Sequence, residues 1–252
     1  TYAAGLAAAG IKPYVAVYSS FLQRGYDQIL HDVCIQDLPV VFAVDRAGLV
    51  GCDGETHQGI FDLSYLSSIP NMNIFAPKNK YELADIMQFS KDFDHPLAIR
   101  YPRGMAYDGL KEFRPPIEYG KSEIIYREKD IALFAVGSMV KTAVDVRDEL
   151  KSQGYNVSLI NVRFVKPIDE NTILEVLNHH KYIVTMEENV LNGGYGERVS
   201  RFIFEQNISC EVINIAGPNI YVEHGNVEVL KKEIGLDKES IIRKIKARLK
   251  NS

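Results

Sequence analysis

Short apolar runs alternate with longer mixed stretches along most of the chain. YVAVYS (14–19) is β-branched and aromatic, VVFAV (40–44) is apolar throughout, and NMNIFAP (71–77) and PLAIRY (96–101) follow. Runs of this length, bounded by Gly, Pro, Asn or Ser, predict buried strands. The stretches between them carry helical spacing. Phe21, Ile29, Leu30, Val33 and Cys34 fall roughly on one face, and Asn79 to Phe93 places Leu83, Ile86, Met87 and Phe89 together. Ser20 with Gln23 three residues on resembles a capping box. The opening TYAAGLAAAG predicts the later turns of a helix ending near Gly10, so the chain is expected to begin inside a structural element.

The stretch 104–128 breaks the rhythm with glycine, a proline pair and mixed charge, and predicts a linker with one short strand. The alternation then restarts. IALFAVG (131–137), NVSLINVRF (156–164), KYIVTME (181–187) and CEVINIAG (210–217) predict strands. Ser138 to Gln153 predicts a helix ended by Gly154, and Glu239 to Lys250 a terminal helix with Ile241, Ile242, Ile245 and Leu249 inward. Strand–helix alternation of this kind argues for mostly parallel sheets covered by helices. The expected fold is α/β with two domains, 1–112 and 129–252, joined by a linker at 113–128.

Composition narrows the class. Of 252 residues 46% are apolar and 25% charged, an ordinary globular balance, and the net charge of −4 gives no reason to expect nucleic acid. No apolar run approaches the ~18 residues of a membrane span. Cys34, Cys52 and Cys210 are scattered, which argues against a disulfide framework or a structural zinc.

The chemistry gathers at strand ends. After PVVFAV comes DRAGLVGCDGETHQG (45–59), which packs Asp45, Arg46, Asp53, Glu55 and His57 among glycines at 48, 51, 54 and 59. In open parallel sheets ligands bind beyond the carboxyl ends of strands. Three such ends offer Tyr18, Phe21, Arg24, Arg46, Asp53, His57 and Arg103 to one sheet edge. A lone arginine is better read as a surface ion pair; two beside a glycine-rich loop shift the balance towards an anion such as phosphate. His57 beside Asp53 and Glu55 suits proton transfer about as well as a structural role. Tyr18 and Phe21 are by default core, His31 structural, and His95, His179 and His180 loop or surface residues. Glu187-Glu188-Asn189 and the glycines at 193, 194 and 196 read as a strand-to-helix turn. That turn suits tight packing better than a phosphate cradle. The residues alone thus point to an α/β protein with a site for a phosphorylated small molecule.

In combination, VYSSFLQRGYDQILHDV (17–33), DRAGLVGCDGETHQGIFDLSYL (45–66), IPNMNIFAP (69–77) and IRYPRG (99–104) resemble the pyrimidine-binding domain of the 1-deoxy-D-xylulose-5-phosphate synthase family. INVRFVKPID (160–169) and EENVLNGGYGE (187–197) resemble its transketolase-type C-terminal domain. The resemblance implies condensation of pyruvate with glyceraldehyde 3-phosphate, with loss of carbon dioxide, on thiamine diphosphate and magnesium. The product feeds isoprenoid precursors and, in many bacteria, thiamine and pyridoxal phosphate. It implies that Phe21 stacks on the cofactor's aminopyrimidine ring, and that Tyr18, Arg46 and Arg103 hold the acceptor's phosphate end with Asp53 nearby. Arg24 would help shape that site, and His57 would serve proton transfer or donor binding. The family's diphosphate and magnesium motif does not occur here, and its cofactor-activating glutamate would lie just before Thr1. The chain is thus expected to be the C-terminal portion of such an enzyme, inactive in isolation, and a homodimer in the bacterial cytoplasm or a plastid. Two other readings stand beside it: a subunit of a split transketolase-like enzyme, and a non-catalytic phosphometabolite-binding module.

Overall fold

A computed structural model describes residues 1–249. In the first half, β1 (Tyr14–Tyr18), β2 (Val41–Asp45), β3 (Asn73–Phe75) and β4 (Leu97–Arg100) form a parallel sheet in the order β1-β2-β4-β3. Every residue of β3 and β4 is buried, as expected of strands covered on both faces. In the second half, β5 (Glu123–Tyr126), β6 (Asp130–Ala135), β7 (Val157–Asn161), β8 (Phe164–Lys166), β9 (His180–Val190) and β10 (Glu211–Gly217) follow. Five of these six build a second sheet in the order β10-β9-β6-β7-β5, parallel except for β5.

The exception is β8. The sequence predicts one strand over 156–164, but the run breaks at Val162-Arg163, where Arg163 takes a left-handed φ of 55°. The chain crosses over, and β8 pairs antiparallel with β3 as the outer strand of the first sheet. One apolar cluster accordingly runs from Val44 and Leu63 in the first half to Val165, Tyr195 and Phe202 in the second.

Caps explain several helix starts. Asn79 accepts from the Glu82 amide and opens Lys80–Phe89, while Glu82 reaches back to the Lys78 amide at 2.7 Å. Asp169 caps Glu170–Leu177 and Asn226 caps Val227–Glu233, two helices not foreseen in the sequence. The segment from Ser19 to Cys34 is helical but changes type along its length, through α, 3-10 and π turns. The terminal helix runs Lys238–Leu249; Lys250, its expected last residue, lies outside the described residues.

Two further expectations are corrected. The strand expected over 181–187 continues to Val190, so Glu187, Glu188 and Asn189 lie in β9 rather than in a turn. They are buried polar residues that only fixed hydrogen-bond partners could stabilise there. His180, expected near the surface, is buried: its ring bonds Ser158 Oγ and the Val176 carbonyl, and burial lowers its pKa.

Candidate active site

The loop 45–59 leaves the carboxyl end of β2 and is pinched shut at its base. Gly48 and Gly59 exchange backbone hydrogen bonds of 2.6 and 2.7 Å. A Cβ on Gly59 would stand 2.2 Å from the Arg46 carbonyl oxygen, so only glycine closes the loop there. Inside it, the buried Gln58 accepts from the Val50 amide at 2.8 Å and donates to the Glu223 carbonyl at 3.0 Å. Leu49 and Ile60 pack with Val190, Val222 and Leu230 of the second half. The loop is therefore a packed element rather than a tether, and its polar side chains are held at defined places.

Those side chains form a connected row. The Arg24 guanidinium lies 5.8 Å from the centre of the Phe21 ring. That ring meets Tyr18 at 5.3 Å and His57 edge-on at 5.0 Å. The Arg46 guanidinium sits 4.0 Å over the Tyr18 ring, a cation–π contact that fixes its height. Asp53 Oδ2 then accepts from Arg46 Nη1 at 2.8 Å and from Arg103 Nη1 at 2.9 Å. All seven candidate residues are thus brought together, from three strand ends. Phe21, by default a core residue, is 37% exposed and offers a flat apolar surface. His57 is half-buried, with Nδ1 bonded to Thr56 Oγ1 at 2.9 Å, which leaves Nε2 as the ring nitrogen for a ligand. Arg46 and Arg103 also line a cleft of about 630 Å³ between the halves, with Ser138, Lys141, Glu188 and Lys231.

Beneath the row lies a layer that sequence reasoning missed. Arg100, at the end of β4, makes a two-pronged pair with Asp62, at 2.7 and 3.0 Å, and both side chains are buried. Its Nη2 also reaches the carbonyls of Gly59 at 3.3 Å and Glu188 at 3.2 Å. The one available signal was a charge inside an apolar strand run, which demands a buried partner. The glycine-rich turn after β9 is indeed a packing turn. The amides of Tyr195 and Gly196 donate to Glu187 Oε2 and Oε1 at 2.9 and 2.8 Å. Burial pushes the Glu187 carboxyl up to about 7, against those amides and the guanidiniums of Arg198 and Arg100. His31 and His95 pair with Asp32 and Asp37 at the surface, away from this row.

Residues 1–107 match the family model for the transketolase pyrimidine binding domain, and residues 120–241 that for the transketolase C-terminal domain. The chain is 56% identical over 246 residues to the 1-deoxy-D-xylulose-5-phosphate synthase of Lachnoclostridium phytofermentans, covering 97% of this chain and 39% of the relative. It is 49% identical over 250 residues to the enzyme of the same name from Caldanaerobacter subterraneus, covering 99% and 40%. The chain therefore spans about two-fifths of the length of these curated relatives. Among solved structures, a split-gene transketolase described as an inactive β4 tetramer superposes with a TM-score of 0.88 at 24% identity, covering 98% of this chain and 78% of the other. The transketolase of Campylobacter jejuni gives 0.78 at 19% identity, covering 97% and 37%. Both share the fold. The chain belongs to the transketolase family, as a pyrimidine-binding domain followed by a C-terminal domain in the form found in 1-deoxy-D-xylulose-5-phosphate synthases.

Proposed function

We propose that the chain is the acceptor-binding portion of a thiamine-diphosphate-dependent 1-deoxy-D-xylulose-5-phosphate synthase, joining pyruvate to glyceraldehyde 3-phosphate with loss of carbon dioxide. The observation that carries this is the guanidinium pair Arg46–Arg103, gathered on Asp53 beside an exposed aromatic platform. Two convergent guanidiniums match a phosphate, and a tilted Tyr18–Phe21 pair flanked by His57 fits a flat heteroaromatic ring. The cofactor, when bound, supplies the electron sink for decarboxylation. Phe21 fixes the orientation of its pyrimidine without competing for the ring nitrogens. Arg46 and Arg103 hold the acceptor's phosphate, Asp53 keeps the two cations together between turnovers, and Arg24 borders the platform. His57 exchanges a proton through Nε2 with the substrate at the reacting end. No group of three or more His, Cys, Asp or Glu that could hold a metal occurs among the described residues. We assign magnesium and the diphosphate to the further portion that the relatives carry. On the same reading we propose a homodimer in the bacterial cytoplasm or a plastid.

Its test uses a protein of the relatives' full length that contains this chain. Arg103→Ala raises the KM for glyceraldehyde 3-phosphate about ten- to a hundred-fold, the loss of one charged hydrogen bond, and leaves the KM for pyruvate unchanged. Steady-state kinetics with each substrate varied in turn decides it, and equal effects on both would remove the phosphate assignment. His57→Ala lowers kcat on the order of a hundred-fold while the melting temperature stays within a degree or two. A variant that melts early yet turns over normally while folded would return His57 to a structural role.

A further inference from the structure

The carboxylate of Glu188 belongs to the second half of the molecule but bonds the first. It is 3% exposed, on β9, and the Leu49 amide of the substrate loop donates to its Oε1 at 2.9 Å. Ser138 Oγ, at the start of the helix after β6, donates to its Oε2 at 2.8 Å. The Glu188 main-chain carbonyl takes the Arg100 contact described above, so side chain and backbone hold the loop base from the same residue. Gly48 fits the arrangement from the other side. It has φ +83°, and a Cβ there would stand 2.6 Å from Glu188 Cδ, so the loop backbone lies directly on the carboxylate. Leu49 is three residues beyond Arg46 and four before Asp53, and Glu188 lines the same cleft as Arg46 and Arg103.

We propose that Glu188 is a positioning residue for acceptor binding: it sets the height of the loop 45–59, and with it the spacing of Arg46 and Asp53 against Arg103. A buried carboxylate with two donors is a stiff anchor, and phosphate recognition by two guanidiniums depends on their separation. Through Glu188 the second domain therefore contributes to the geometry of the acceptor site.

This rests on the function proposed above, and the experiment separates the two. The first readout needs no activity. In the full-length protein, Glu188→Ala speeds amide hydrogen exchange at Leu49 and its neighbours at least about tenfold, with β6 and the centre of β9 unchanged. Unchanged exchange at Leu49 overturns the proposal. The second readout uses the full-length enzyme. Glu188→Ala raises the KM for glyceraldehyde 3-phosphate about tenfold, the scale of one lost charged hydrogen bond, with kcat and the KM for pyruvate within twofold. Glu188→Gln, which keeps an oxygen for the Leu49 amide, recovers most of the loss. Should Glu188→Ala fail to fold, Ser138→Ala removes one anchor of the same carboxylate and shifts the same KM in the same direction, by a smaller factor. An equal rise in both KM values, or no rescue by glutamine, overturns the positioning role. If Arg103→Ala changes the acceptor KM and Glu188→Ala does not, only this proposal fails. If neither changes it, the acceptor assignment fails as well.

Discussion

Replacing Arg100 with leucine lowers the stability of the chain by about 3–5 kcal/mol, because it strands the Asp62 carboxylate in the interior. Asp62 is 0% exposed, and both of its oxygens are taken by the Arg100 guanidinium. The same change removes the Arg100 contact from the carbonyls of Gly59 and Glu188, so the base of the substrate loop loosens with it. Urea denaturation measures the loss. The double variant Arg100→Leu/Asp62→Leu recovers much of it, since an apolar pair of similar bulk carries no desolvation cost. Strictly additive losses would mean that Asp62 is stabilised by something other than Arg100.

Glu82→Ala is expected to cost a similar amount, about 3–5 kcal/mol, for a related reason. Glu82 is 2% exposed and stands at the centre of a buried polar cluster between the halves. Lys78 Nζ donates to it at 2.9 Å, Arg163 Nε at 2.8 Å and Asn161 Nδ2 at 2.9 Å. Glu123 is the cluster's second carboxylate, 2.7 Å from Lys78 Nζ. With Glu82 removed, two buried cations share one anion, and the Lys78 amide loses its acceptor as well. The exposed pair Arg201–Glu205 is the natural control: its removal leaves the urea midpoint almost unchanged, because water and salt screen it. Equal effects at the two places would show that water reaches the Glu82 cluster.

These two clusters mark the limit of what the sequence discloses. Strands such as VVFAV and IALFAVG are legible because parallel strands buried on both faces must be apolar throughout. The row of candidate residues is legible for a related reason: strand ends are known places for ligands, and charged residues spaced by glycines at 48, 54 and 59 mark a loop built at such an end. Glu82 and Glu188 are silent, and Arg100 shows only as a charge inside an apolar run, with no sign of its partner. Each sits in an otherwise regular element, and its partner is far away in the chain, as Leu49 is from Glu188 and Arg163 from Glu82. Local pattern cannot show such pairing. The β7–β8 break was hidden similarly, because NVSLINVRF keeps strand composition through the turn and only the φ of Arg163 reveals it. The helices after Asp169 and Asn226 are short, so their periodicity is weak, although both caps stand in the text.

The β3–β8 pairing imposes an order on biosynthesis. Once Arg100 has left the ribosome, all four parallel strands of the first sheet exist, but the outer edge of β3 stays open until Lys166 follows. At ~5–20 residues per second, the about 65 intervening residues take roughly 3–13 seconds. For that interval the nascent chain carries a short strand, NIF, whose outer amides and carbonyls are unpaired and available to a neighbouring chain. Translation that stalls between these points would therefore yield chains prone to pair with one another, and the second domain acts as the cover that ends this vulnerability.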